Sequence, residues 1–138
     1  MSVEYFQLKP GSQLPDITGL KPFLAVVIIE EVVTPEWRDS VSTWLVKSGC
    51  ILLMAWGIDS SDWEDSVDLA NIEQFNYGEI PEDELVMTFW QNNETLEDVF
   101  LQAKDSTQHV CVEISNTVIV HIANKNKKEE YLVLFSKV

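Results

Sequence analysis

The chain has 138 residues, 46% of them hydrophobic and 10% aromatic, enough for one domain with a sizeable core. Its 23 acids against 9 bases give a net charge of −14, a sign that repels phosphate backbones and anionic lipid and argues against direct nucleic-acid or membrane binding. The longest apolar runs, "FLAVVII" and "CILLMAW", fall far short of the roughly 20 residues of a membrane-spanning helix.

Residues 1 to 22 carry Pro10, Gly11, Pro15, Gly19 and Pro22, a spacing that suits an ordered lead-in or short edge segment. Nothing there pairs a basic region with an apolar stretch and a cleavage site, so a cytoplasmic protein is expected. A single α/β domain is expected over residues 23–138. It opens with "FLAVVIIEE", apolar at consecutive positions as in a strand covered on both faces. "TPEW" then starts a helix, with Thr34 as N-cap and Pro35 in the first helical position, and Gly49 ends it.

Sliding the chain by 26 residues aligns "VVIIEEVVTPEWRDSV" with "LLMAWGIDSSDWEDSV", matching Trp37 to Trp63 and Ser40 to Ser66. Two strand-helix units are implied, each tryptophan anchoring its helix to the sheet. In the second unit Ser61 and Glu64 have capping-box spacing and place the helix start near Asp62. "ELVMTFW" followed by "ETLEDVFLQAK" makes a third unit, with Thr95 or Asn93 as the cap. After that the period becomes that of strands: "HVCVEIS", "VIVHIA" and "EEYLVLFSK" read as an antiparallel meander. The expected fold is therefore α/β: three strand-helix units with parallel strands, then a C-terminal antiparallel meander, in a mixed sheet with helices on its faces.

Charge is concentrated in the middle of the chain. Residues 30–107 hold 18 acids against Arg38, Lys47 and Lys104, a local charge of −15. Within that region Asp59, Asp62, Asp65 and Asp68 recur every third residue, beside Trp56 and Trp63. Carboxylates at that spacing are neighbours on a helix and repel, so solvent or a cation must relieve them. The same stretch resembles the signature A-W-G-x-D-x-S-x-W-x-x-S-V-D of an uncharacterised family of small bacterial α/β domains. Ala55, Trp56, Gly57, Asp59, Ser61, Trp63, Ser66, Val67 and Asp68 carry the resemblance, which extends from about residue 25 to 123. The resemblance implies no activity.

No catalytic motif stands out. There is no G-x-S-x-G elbow and no phosphate-binding G-x-x-x-x-G-K-[ST] loop, and His109 and His121 lack zinc spacing. Cys50 and Cys111 read as two buried thiols. Two functional readings follow. The first is a non-enzymatic interaction domain in which Asp59, Asp62, Trp63, Asp65, Asp68 and Trp56 bind a basic protein partner, as an immunity or inhibitor protein would. It needs no cofactor. The second is a metal- or small-molecule-binding domain, hydrolytic or regulatory in a receiver-like way, in which Glu30, Glu31, Asp59 and Asp62 hold Mg²⁺ at the strand ends.

Overall fold

The computed structural model describes residues 2–106 and 112–138. Five strands, β1 (Ser2–Leu8), β2 (Phe23–Ile29), β3 (Cys50–Gly57), β4 (Met87–Gln91) and β5 (Asn116–Ile122), form one sheet in the order β1-β5-β2-β3-β4. Every pairing is parallel. Four helices accompany them: α1 (Pro35–Ser48), α2 (Ser60–Gln74), α3 (Leu96–Asp105) and α4 (Lys128–Lys137). The first two pack on one sheet face and the last two on the other, giving two separate cores.

The three strand-helix units form where the periodicity puts them. Thr34 Oγ1 accepts the Trp37 amide at 3.2 Å, Pro35 opens α1, and Gly49 closes it at φ 108°. Thr95 caps α3 by accepting the Asp98 amide at 3.2 Å. Val26 and Ala55 lie in the adjacent parallel strands β2 and β3, as the 26-residue repeat requires. The two repeat tryptophans meet edge to face, centroids 6.5 Å apart, between α1 and α2. Ser66 ties the same helices together, its hydroxyl donating to Asp39 at 2.8 Å and accepting from Ser42 at 2.7 Å.

Among the described residues the antiparallel meander and the mixed sheet do not occur. "VIVHI" becomes β5, inserted between β1 and β2 and running parallel to both. Residues Val118 to Ile122 are wholly buried, and a strand covered on both faces has no need of polar alternation. The expected last strand, "EEYLVLFSK", is instead α4, burying Tyr131 and Phe135 one turn apart. Its ends fit the helix dipole, with Glu129 and Glu130 in the first turn and Lys137 in the last. The expected strand "HVCVEIS" lies partly outside the described residues, and Val112 to Ser115 contain no continuous strand. The sheet also starts earlier than Phe23, because Ser2–Leu8 supplies the edge strand β1.

Topology locates two places where a ligand could meet the sheet. The chain leaves β2 toward α1 on one face and leaves adjacent β5 toward α4 on the other, which opens a crevice at their carboxyl ends. At the opposite side, among the described residues, β4 pairs only with β3 and ends the sheet.

Candidate functional site

The crevice is built around Glu30, the first residue beyond β2, whose amide continues the ladder by donating to Ile122 O at 3.0 Å. Behind it lies His121, a fully buried histidine on the α3/α4 face. Its Nε2 is 2.7 Å from Glu30 Oε1, and its Nδ1 is 2.6 Å from the Tyr5 hydroxyl. Tyr131, from α4, donates to the same Glu30 oxygen at 2.6 Å, and Lys127 Nζ lies 3.4 Å from it. The Tyr5 hydroxyl in turn accepts the Lys127 amide at 2.9 Å.

One assignment of protons satisfies all of these groups. A neutral imidazole protonated on Nε2 donates to the carboxylate and accepts from Tyr5, which leaves no hydrogen without an acceptor. Burial pushes the His121 pKa down, outweighing the hydrogen bond and charge of Glu30. Burial also acts to raise the Glu30 pKa, but hydrogen bonds from Tyr131 and His121, with the charge of Lys127, hold it below its ordinary value. Tyr5 and Tyr131 are both raised, chiefly by burial. A cavity of about 450 Å³ opens here, lined by Glu30, Glu31, Ala123, Asn124, Lys125 and Lys127. Glu31 is held there by the Asn124 amide at 2.7 Å. The acids facing the cavity are thus already hydrogen-bonded within the fold.

The second region is α2 with the outer strand β4. Glu64, Asp65 and Asp68 bring their carboxylates within 4.8 Å of one another on α2. Burial raises the Glu64 pKa, and the charges of Asp68 and Asp65 add to the effect. Asp68 reaches the strand, accepting from Thr88 Oγ1 at 2.7 Å. Beside Thr88, Phe89 and Trp90 are 44% and 43% exposed, and on α2 Leu69 and Ile72 are exposed as well. Trp90, Leu69 and Ile72 therefore share the α2 side of the sheet with these carboxylates, while Phe89 lies on the other side.

The residues expected to bind a partner divide between surface and core. Asp59, Asp62 and Asp65 are exposed and Asp68 is half-buried. Trp63 is 1% exposed and belongs to the core between α1 and α2, so it cannot serve as a surface anchor. Trp56 is half-buried and donates to Glu94 O at 2.8 Å, which fixes the approach to α3. Ser61 is not the cap: α2 starts at Ser60, after Asp59 in a left-handed conformation at φ 55°. Of the expected Mg²⁺ ligands, Glu30 turns toward His121 of β5 and Glu31 toward Asn124 just beyond it, while Asp59 precedes and Asp62 occupies the first turn of α2. Among the described residues, the acids that do converge as a metal could use them are Glu64, Asp65 and Asp68.

Gly57, in the same stretch, is needed for close approach. At φ 112° a Cβ would overlap the Ile29 carbonyl, which accepts the Ile58 amide at 3.0 Å. Cys50 is a buried free thiol, pushed up to about 12 by burial. Cys111 and His109 lie outside the described residues. Missed altogether were Tyr5, Lys127 and Tyr131, which the sheet order brings together from opposite ends of the chain. Phe89 and Trp90 were missed for another reason, since nothing local distinguishes an outer strand from an inner one.

No helix among the described residues is long and apolar enough to cross a membrane. No curated protein and no solved structure matches the chain. The family model of a domain of unknown function, DUF7684, matches residues 3–138, and the chain belongs to that family.

Proposed function

We propose that this domain is an acidic, non-enzymatic interaction module that binds a basic protein partner through the surface shared by α2 and β4. The observation that carries this reading is the combination, on the α2 side of the sheet, of exposed Trp90 with the Glu64, Asp65 and Asp68 carboxylates. Aromatic side chains supply contact area at an interface, and clustered charge speeds encounter with a partner of opposite sign. Repulsion among the three acids is relieved when lysine or arginine arrives. A bacterial immunity or inhibitor protein that plugs the cationic site of a toxin in the cytoplasm is the concrete form of this role. The second reading, small-molecule binding in the β2–β5 crevice, has the 450 Å³ cavity in its favour. It ranks lower because Glu30 and Glu31 are already engaged by neighbouring side chains.

The test begins with cross-linking in native lysate at low salt to identify the partner. Its association rate is then measured against the wild type and against Asp62→Lys with Asp65→Lys, both at exposed positions. The double variant should associate several-fold more slowly and lose most of its salt dependence. Unaltered association at low salt would make the acidic face a solubility feature only.

A further inference from the structure

We infer that the outer edge of β4 accepts an extended basic segment of the partner as a sixth strand, an inference that rests on the interaction reading above and specifies its geometry. Among the described residues β4, the five residues Met87–Gln91, is a sheet edge paired only with β3. Such an edge presents backbone donors and acceptors to any chain that can lie along it, and strand addition is a recurring mode of peptide recognition. The usual protection of an edge by lysine, proline or a bulge is missing from "MTFWQ".

The register of β4 determines what the added strand must look like. Thr88 and Trp90 are paired with Leu53 and Ala55, which face the α1/α2 core, and Thr88 touches Asp68. Phe89 is paired with Met54, which faces the α3/α4 core. Side chains of neighbouring strands at paired positions point to the same side. Residues of the incoming strand opposite Thr88 and Trp90 therefore lie on the side of Glu64, Asp65 and Asp68, and those positions call for lysine or arginine. The position opposite Phe89 calls for an apolar side chain. The recognised pattern is basic, apolar, basic on consecutive residues, and a cation over the exposed Trp90 ring adds to it.

Charge also decides between possible occupants. A second copy of this chain, adding β4 to β4, would bring a second net charge of −14 to the same edge. Nucleic acid is repelled for the same reason. A basic polypeptide segment alone gains from both the carboxylates and the unpaired strand.

Three six-residue probes test this. One alternates lysine and valine, a second has the same composition with lysines and valines in separate blocks, and a third is the alternating peptide N-methylated at every other amide. Binding is followed by amide chemical shifts at low salt. The alternating peptide should shift the amides of Thr88, Phe89 and Trp90, and N-methylation should weaken it by about tenfold or more through lost backbone hydrogen bonds. Phe89→Lys, at an exposed position, should weaken the alternating peptide without unfolding the protein. Equal binding of all three probes would overturn strand addition while leaving charge-driven partner binding intact. Absence of binding by the alternating peptide at millimolar concentration would also overturn it. Conversely, a partner indifferent to Asp62→Lys with Asp65→Lys, alongside normal peptide addition at β4, would remove the interaction reading and spare the edge.

Discussion

Glu30 and Glu64 are both half-buried carboxylates near the sheet, and their surroundings push them in opposite directions. Glu30 is encircled by donors, with His121, Tyr131 and Lys127 all directed at one oxygen, and its pKa falls. Glu64 is desolvated beside the like charges of Asp68 and Asp65, and its pKa rises. The first environment is complete within the fold and so contributes to stability; the second is left incomplete and so has affinity to offer a partner. The pattern extends to the aromatics, since Tyr5 and Tyr131 are hydrogen-bonded and buried at one region while Phe89 and Trp90 are open at the other.

Substitutions should sort by region. The largest stability effect is expected at Trp63, where Trp63→Ala empties a core site between α1 and α2 and should cost about 3–5 kcal/mol in denaturant titration. A cost under about 1 kcal/mol would deny it the anchoring role. His121→Phe removes the imidazole between Tyr5 and Glu30 and strands buried polar groups, for a cost of about 2–3 kcal/mol. Tyr131→Phe removes one donor from Glu30 and should cost about 1 kcal/mol. By contrast Trp90→Ala and Asp65→Asn, on the open region, should change stability by less than about 0.5 kcal/mol, with Asp65→Asn on the favourable side.

The pH dependence follows from the same contrast. His121 is held neutral in the folded state, so its folded pKa lies below its ordinary 6.5 and the unfolded chain binds the extra proton first. Its contribution is intact above pH 6.5 and declines as pH falls from there toward the folded pKa. Glu30 has a lowered pKa, so its contribution is intact above its ordinary 4.5 and is lost as pH falls through the folded value. Wild-type stability should therefore decline in two stages on acidification, and His121→Phe should flatten the upper one. An unchanged upper stage in that variant would assign it to another group.

How much of this was legible depends on whether the signal was local. Thr34, Pro35 and Gly49 bound α1 by short-range chemistry, and the 26-residue repeat exposed the parallel β2–β3 pair. The last third was misread because "YLVLF" satisfies both periods: its apolar residues fill a strand, and Tyr131 with Phe135 also forms a helical face. Sheet order settles which period applies, since β5, enclosed between β1 and β2, requires a helix on the face that α3 leaves partly open. The acidic stretch was legible as a surface, but Trp63 was drawn into the core by its pairing with Trp37. Neither the Tyr5–His121–Tyr131 network nor the exposed edge at Trp90 has a local signature, because each depends on strands distant in sequence becoming neighbours or failing to gain one.

Hydrogen exchange of the protein with and without its cross-link-identified basic partner tests the central claim most directly. Protection should appear at the amides of Met87–Gln91 and along the acidic turn of α2, and should weaken together with affinity in Asp62→Lys with Asp65→Lys. Protection confined to Glu30, Glu31 and Asn124, with β4 exchanging as fast as in the free protein, would place the partner at the β2–β5 crevice and contradict the account.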